Sequence, residues 1–367
     1  MAVIGASYLQ APLVDRAREL GLEVHCFAWA DGAVCKDRAH FFYPISIVEK
    51  EQILDICRKQ QVDGICTIAS DVAAPTVAYV AEAMGLPGNR YASALKASNK
   101  YLMRNAFLEA GVPCPQYWMV HHVDEVPRQA AFPLIVKPSD RSGSLAVSLV
   151  EDPKTLKTAV QQAVAASFKG EAMVEQYIDG REVSVEFISC KGRHYPLQIT
   201  DKVTTGAPHF VELEHHQPAV LSAALSDELY ATTVRALDAL GITDGASHSE
   251  YKITADGRFY IMETGARMGG DFIGSDLVKL STGYDFVQGV IEVALGCFQE
   301  PILPRKACSG VYFLCRESER LLPWFQHPES IPGLVRMERD DAPIRPLTKS
   351  ADRCGYLIYS GTEKWQV

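Results

Sequence analysis

The chain has 367 residues, of which 47% are hydrophobic and 22% are charged, a balance typical of a globular protein with two or three domains. Its net charge of −9 argues against nucleic acid and anionic membrane surfaces as partners. No apolar run approaches the roughly 18 residues that a membrane-spanning helix needs, and no charged leader with a cleavage site precedes the first strand. We therefore expect a cytoplasmic protein.

The ten cysteines are scattered along the chain and include no C-x-x-C pair. Most of them lie in apolar runs, such as the one around Cys66. This usage is typical of small buried thiols in a reducing compartment, and it argues against a zinc site.

Residues 1–95 predict a small open α/β domain. An apolar strand at residues 2–5 precedes a helix of 3.6-residue periodicity and a second strand, an order that implies a parallel, right-handed crossover. Gly5 opens the first turn, but the fingerprint G-x-G-x-x-G is absent, so nicotinamide binding has weak support. We expect this domain to be mainly a scaffold and Asp71, before a helix, to be an N-cap.

Two lysines occupy positions that a phosphate would explain. Lys100 precedes an amphipathic helix, where a cation is unfavourable unless an anion is near, although a solvated lysine is the alternative. Lys137 ends the apolar strand that begins at Phe132, where an unpaired charge is costly. The loop at 139–144 that follows offers backbone N–H and hydroxyl donors, although it lacks the Walker pattern.

The stretch from Glu175 to Ile178 closes another apolar segment and suits a purine-binding hinge. Its backbone edge could meet a flat base, and the Glu175 carboxylate could accept from an exocyclic amine. Glu182, seven residues later, could accept from ribose hydroxyls. Taken alone, the two residues would be interpreted as surface glutamates.

A predicted hairpin carries two further glutamates. Glu250 comes seven residues before Gly257 of the Asp-Gly turn, and Glu263 six residues after it, so strand pairing can bring both onto one sheet face. Adjacent carboxylates repel, and Mg²⁺, which usually takes one or two carboxylates, would remove the repulsion. Arg267 offers a planar fork for an anion beside the metal. An ordinary surface hairpin is the alternative.

The order and spacing of these motifs resemble the ATP-grasp superfamily. The likeness covers about residues 96–300, and the sequence Glu263-Thr-Gly-Ala-Arg267 is similar to the branch that includes L-amino acid ligases. The pattern is also similar to the ATP-grasp domains of biotin carboxylase and carbamoyl-phosphate synthase. Phe210, Glu212 and His215 resemble the F-x-E-x-x-H region of the amino acid ligase branch, whereas no spacing in this histidine-rich segment closes a four-ligand zinc site.

The resemblance implies a fold of α/β and α+β class. An open parallel α/β domain, the pre-ATP-grasp domain, would occupy residues 1–95. The ATP-grasp domain would occupy 96–300, with a lid at about 112–180 and the nucleotide between two sheets. A small β-rich segment over 301–367 would pack on this core.

The resemblance also implies site residues. The ATP contacts would be Lys100, Lys137, Ser142, Gly143, Ser144, Glu175, Gln176, Tyr177, Ile178 and Glu182. Glu250 and Glu263 would bind the metal, and the catalytic set would be Lys202, Glu212, His215 and Arg267. Many members place Asn two residues after the second metal glutamate, where this chain has Gly265, so one ligand is lost or replaced by water.

The implied activity is that of a ligase that uses ATP and Mg²⁺, or Mn²⁺ in its place, to join a small-molecule carboxylate to an amine through an acyl phosphate. An amino acid or dipeptide ligase would fit, and so would a homodimer. The alternatives are a nucleotide-binding regulatory module without turnover and an NAD(P)-dependent oxidoreductase.

Overall fold

The computed structural model describes residues 1–140, 146–207 and 209–365, which form three sheets with helices between them. The first sheet is parallel, in the order β3-β2-β1-β4, and its two central strands are fully buried because helices cover both faces. Its elements are β1 (Ala2–Ile4), α1 (Ala11–Glu19), β2 (His25–Phe27), β3 (Phe41–Tyr43), α2 (Lys50–Lys59), β4 (Ile65–Cys66) and α3 (Ala74–Met84). The predicted open parallel α/β unit is confirmed.

Two consecutive helices lead from this unit to the second sheet: α4 (Tyr91–Ser98) and α5 (Lys100–Glu109). The side chain of Asn99 accepts from the backbone N–H of Leu102 and thereby caps α5 at its start. This cap fixes the position of Lys100, the first residue of the helix.

The second sheet is antiparallel, in the order β5-β8-β6-β7. Leu156, Val160 and Ala163 form the buried face of a helix that packs against it. Its elements are β5 (Tyr117–Val120), β6 (Leu134–Pro138), β7 (Ser148–Val150), α6 (Pro153–Ala166) and β8 (Ala172–Gln176). The predicted phosphate contacts of Ser142, Gly143 and Ser144 lie outside the described residues.

The third sheet has eight antiparallel strands in the order β13-β12-β9-β10-β11-β14-β16-β15. Its first five strands and one long helix are β9 (Arg181–Cys190), β10 (Arg193–Thr204), β11 (Glu212–Gln217), α7 (Ala223–Leu240), β12 (Gly245–Ile253) and β13 (Phe259–Gly265). Apolar residues of α7 pack on the strands in one core cluster with Val183, Val185 and Phe187. The predicted glutamate hairpin, β12 and β13, lies at one edge of this sheet.

Helical segments follow the hairpin, and the last strands extend the same sheet. A π-helical turn (Ile273–Leu277) precedes α8 (Val278–Thr282) and α9 (Phe286–Ala294), and then come β14 (Cys308–Leu314), α10 (Leu322–Gln326), β15 (Leu334–Arg339) and β16 (Gly355–Gly361). Strand β14 pairs with β11, so the C-terminal strands continue the third sheet. Among the helices of the described residues, none has the length and apolarity required to cross a membrane.

Candidate active site

A cavity of about 310 Å³ lies between the second and third sheets. Twelve of the predicted site residues line it: Lys100, Lys137, Glu175, Gln176, Tyr177, Ile178, Glu182, Lys202, Glu212, Glu250, Glu263 and Arg267. They come from eight different elements or their flanking loops, so the fold brings together residues that are far apart in the sequence. The remaining described candidate, His215, lies behind this wall and is 1% exposed.

The glutamate hairpin contains a bulge that sets its register. Glu250 pairs directly with Glu263, whereas Tyr251 pairs with Ile261, so one extra residue, Met262, is inserted in β13. Direct cross-strand partners have their side chains on the same face. The bulge therefore places the two carboxylates side by side, where an unbulged hairpin would set Glu250 opposite Met262.

Glu250 is held by a lysine and a histidine. Its Oε1 accepts from Lys202 Nζ at 2.5 Å and lies 3.2 Å from His248 Nε2, while His248 Nδ1 lies 2.5 Å from the buried Glu186. Burial alone would raise the pKa of Glu250, but Lys202 and His248 hold it well below its usual range. Burial would lower the pKa of Lys202, yet Glu250 and Glu212 raise it above its ordinary value. Glu250 is therefore ionised at neutral pH.

Glu263, the second carboxylate of the hairpin, faces Lys100. The Lys100 Nζ lies 3.5 Å from Glu263 Oε1, and Glu263 raises the pKa of Lys100 although burial opposes it. A cation at the start of α5 is unfavourable for the helix dipole, so the nearby carboxylate offsets this cost. The contact connects the predicted phosphate lysine to the predicted metal ligand.

Glu175 is buried and forms the centre of an ion cluster. It accepts from Arg104 Nε at 2.8 Å and from Lys137 Nζ, and both Glu175 and Arg104 are 1% exposed in their side chains. Burial alone would raise the pKa of Glu175, but Arg104 and Lys137 lower it to about 2. Burial lowers the pKa of Lys137 below its ordinary value. The cluster thus fixes Lys137 at the cavity wall.

Another part of the cavity lining presents a carboxylate and aromatic rings. Lys252 Nζ lies 3.0 Å from Glu182 Oε1, and 5.7 Å and 5.9 Å from the ring centroids of Tyr177 and Phe210. The rings and the backbone of 176–178 form the hinge side of the cavity. Such a surface can bind a flat base, with hydrogen-bonding groups for a sugar nearby.

Arg267 is paired with Asp71, whose predicted role as a helix N-cap is wrong. Arg267 donates from Nε and Nη2 to the two Asp71 oxygens at 2.8 Å and 2.7 Å. The N-cap of α3 is instead Ala73, whose N–H bonds to Ser70 Oγ at 3.3 Å. Asp71 faces the cavity because an ion pair with an inward-pointing arginine satisfies both of its oxygens.

A second charge cluster lies behind Glu212. Arg353 donates to Glu212 Oε2 at 3.2 Å and to Asp271 Oδ2 at 2.7 Å, and His215 Nε2 lies 4.0 Å from the same Asp271 oxygen. Burial lowers the pKa of His215, so this ring is neutral at pH 7. Glu212 also lies 3.7 Å from Lys202, which joins this cluster to Glu250.

The carboxylates of the cavity fit a dication that keeps most of its own water or phosphate ligands. Across residues 1–140, 146–207 and 209–365, no group of three or more His, Cys, Asp or Glu side chains could hold a metal ion. Mg²⁺ usually takes only one or two carboxylates from the protein, which matches Glu250 and Glu263. Zinc in a closed four-ligand site does not fit this donor set.

Several residues at this site were not identified from the sequence: Asp71, Arg104, His248, Lys252 and Arg353. A signal existed for His248, which alternates with Glu250 along one strand and so shares its face. Arg104 lies inside an amphipathic helix where its burial cannot be foreseen from spacing. Asp71 and Arg353 reach the site from the N-terminal and C-terminal parts of the chain.

Comparison with known proteins finds similarity to ATP-grasp proteins. Residues 130–276 match the ATP-grasp domain model. The chain is 26% identical to alanine–anticapsin ligase of Bacillus subtilis over 68% of this chain and 57% of that protein, and 29% identical to D-alanine–D-alanine ligase of Geobacter sulfurreducens over 51% and 61%. It thus spans about three fifths of the length of these curated relatives.

Similarity to a solved structure extends over nearly the whole chain. The crystal structure of L-amino acid ligase from Bacillus licheniformis superposes with a TM-score of 0.81 and 26% identity, and the match covers 99% of this chain and 93% of that one. The match includes the N-terminal parallel sheet and the C-terminal strands as well as the central domain. The chain therefore contains an ATP-grasp domain, which the family model places at residues 130–276.

Proposed function

We propose that the chain is an ATP- and Mg²⁺-dependent ligase that joins a carboxylate to an amine and releases ADP and phosphate. One observation carries the proposal: two glutamates paired across a hairpin share a cavity with five cationic side chains, Lys100, Lys137, Lys202, Lys252 and Arg267. A triphosphate with a dication requires this combination of charges. The relatives are named as ligases of amino acids, which supports an amino acid or dipeptide ligase in particular.

The nucleotide would lie between the two sheets. We assign the phosphates to Lys100 and Lys137, the adenine to the hinge at 175–178 and the ribose to Glu182. The Glu175 carboxylate is already engaged by Arg104 and Lys137, so its part at the hinge is to hold Lys137 in place. The backbone of 176–178 then supplies the polar edge for the base.

Glu250 and Glu263 are the residues that would hold Mg²⁺, which neutralises charge on the phosphate oxygens during transfer. Lys202 bonds to Glu250 at 2.5 Å, and Lys100 lies 3.5 Å from Glu263, so these cations hold the two carboxylates in place beforehand. Binding would bring phosphate oxygens to Lys100, one of the two lysines assigned to the phosphates. Mn²⁺ suits the same oxygen ligands.

The reaction would proceed in two displacements. An oxygen of the substrate carboxylate attacks the γ-phosphorus and the bond to ADP breaks, which gives an acyl phosphate. The amine nitrogen then attacks the carbonyl carbon, the carbon–oxygen bond to phosphate breaks, and the nitrogen loses a proton. Both steps need positioning and charge stabilisation more than a protein nucleophile. Arg267 and Lys202 supply that charge at the cavity wall.

We assign the substrate-facing side to Glu212, with His215 behind it. Arg353 and Lys202 orient the Glu212 carboxylate, which lines the cavity and can accept a proton or a hydrogen bond from an amine. His215 contacts Asp271 rather than the cavity, so its contribution is to orient the carboxylate of Asp271.

The experiment that tests the proposal is a screen of carboxylate and amine pairs with ATP and Mg²⁺, scored by ADP formation and by the mass of the product. The ligase is supported by amine-dependent ADP release together with a product whose mass equals that of the two substrates less one water. Tight ATP binding with no ADP for any pair supports a regulatory module. Failure to bind ATP, with quenching of NAD(P)H fluorescence, supports an oxidoreductase.

A further inference from the structure

Asp71, which no proposed step uses, holds Arg267 in a defined orientation. A guanidinium carries five N–H donors. Arg267 directs two of them to Asp71 and a third, from Nη1, to the Met268 carbonyl at 3.2 Å. Within the part of the chain that the structure describes, two donors remain, one on Nη1 and one on Nη2, on a side chain that lines the cavity.

A side chain on residue 265 would force this ion pair to shift. An ideal Cβ on Gly265 would lie 2.5 Å from Asp71 Oδ1 and 3.0 Å from Arg267 Nε, and the first distance is shorter than real Cβ contacts. Gly265 does not have a positive φ, so its backbone would accept other residues. The observed geometry of the ion pair therefore depends on a residue without a Cβ at position 265, where the resemblance to the ATP-grasp superfamily led us to expect Asn.

The pair connects two separate parts of the fold. Asp71 lies in the loop after β4 of the first sheet, and Arg267 follows β13 of the third sheet. The two side chains are 25% and 16% exposed. Burial alone would raise the pKa of Asp71, but Arg267 and His248 keep it below its ordinary value, so the pair is ionic at neutral pH.

We propose, as an extension of the ligase function proposed above, that Asp71 is a positioning residue that directs Arg267 to the transferring phosphoryl group and that Gly265 leaves the space it needs. A bidentate ion pair removes most of the rotamer freedom of an arginine before the substrate binds. The N-terminal unit then contributes to turnover in addition to its role as a scaffold.

A double-mutant cycle tests this coupling. We expect Asp71→Ala to lower kcat about ten- to a hundredfold and to change the KM for ATP less than about threefold, because a small displacement of a catalytic group can cost about a hundredfold in rate. Asp71→Asn, which keeps one acceptor oxygen, should lower kcat less than Asp71→Ala does. Gly265→Ala should lose as much as Asp71→Ala, since its methyl group displaces the carboxylate. In the double variant the closest contact, with Asp71 Oδ1, is gone and a small shift of Arg267 relieves the remaining 3.0 Å contact with its Nε, so kcat should be close to that of Asp71→Ala.

Asp285→Ala is the matched control. Asp285 is 20% exposed and pairs with Arg16 at 3.3 Å and Lys279 at 2.7 Å, away from the cavity lining. This variant should lower Tm without lowering kcat. The inference is overturned if the losses of Asp71→Ala and Gly265→Ala multiply, if Asp71→Ala retains the wild-type kcat, or if KM for ATP rises in place of the fall in kcat.

The same cycle, measured as the free energy of unfolding, requires no activity. Gly265→Ala should destabilise the chain when Asp71 is present and have little effect when residue 71 is alanine. If Gly265→Ala destabilised the chain equally with aspartate and with alanine at position 71, the two side chains would not compete for the same space. A wild type that forms no ADP would instead refute the proposed function and, with it, the positioning role, so the two failures are distinguishable.

Discussion

Arg104 donates from Nη2 to the carbonyl oxygen of Met262 at 2.5 Å, and Met262 is the residue inserted at the bulge of the glutamate hairpin. The same guanidinium donates from Nε to Glu175. One buried side chain of α5 therefore contacts both the hinge and the bulge that sets Glu250 opposite Glu263. The register of the proposed metal ligands depends on this arginine.

Replacement of Arg104 by methionine should strongly destabilise the chain. The change leaves the Glu175 carboxylate buried with Lys137 as its remaining ion-pair partner, and loss of one member of a buried pair typically costs about 3–5 kcal/mol. Urea denaturation measures the free energy of unfolding. Arg90→Met removes an exposed pair with Glu82 and should leave the midpoint unchanged. A loss for Arg104→Met no larger than that of Arg90→Met would contradict the account.

The depressed pKa of Glu175 predicts a specific sensitivity to acid. Its pKa falls from 4.5 to about 2 on folding, so its ionisation stabilises the folded state above pH 4.5, and this contribution is lost as the pH falls from 4.5 through about 2. In Glu175→Gln that contribution is absent. The variant's free energy of unfolding, lower than that of wild type at pH 7, should therefore change less between pH 4.5 and 2. Parallel curves for the two proteins would be inconsistent with the burial of this carboxylate as an ion.

Replacement of Arg353 by methionine should affect the substrates of the proposed reaction more than ATP. Arg353 bonds to Glu212 and Asp271 from a position far along the chain, so its loss releases two carboxylates at the proposed substrate side. We expect KM for the carboxylate or amine substrate to rise about tenfold, a coupling of about 1.4 kcal/mol, with KM for ATP little changed. Arg320→Met, which removes a more exposed pair with Glu214, is the control. A rise confined to KM for ATP would argue against this placement.

Replacement of Glu263 by glutamine should weaken binding of a dication. The change removes one of two carboxylates that fit Mg²⁺, and Mn²⁺ can report it through its electron paramagnetic resonance signal in the presence of ATP. We expect at least a tenfold rise in the Kd for Mn²⁺. Glu214→Gln, on β11 and outside the cavity lining, should bind as wild type does. Equal affinity in Glu263→Gln would remove the metal role from this residue.

The parts of this site that could be predicted from the sequence are those marked by local patterns. The Asp-Gly turn and the alternation around it predicted the hairpin, and the apolar strand before Lys137 predicted a lysine at a strand end. These signals come from neighbours in the chain, where strand and turn geometry are fixed. The open parallel N-terminal unit followed from its β-α-β order for the same reason.

The residues that were missed depend on packing between distant segments. Asp71 reaches Arg267 across 196 positions and Arg353 reaches Glu212 across 141, and no periodicity records such contacts. The bulge at Met262 is likewise invisible, because it depends on Arg104 from another element. The sequence could show an unexplained Gly265, but only the coordinates show which side chains fill the space.

The central claim is that a carboxylate oxygen of one substrate attacks the γ-phosphorus of ATP at the glutamate hairpin. The most direct measurement starts from a carboxylate substrate labelled with ¹⁸O in both oxygens and follows the label by mass spectrometry of the phosphate released with Mg²⁺ and the amine. The account predicts one ¹⁸O atom in each phosphate and one in each amide product. Unlabelled phosphate formed together with the amide product would contradict it.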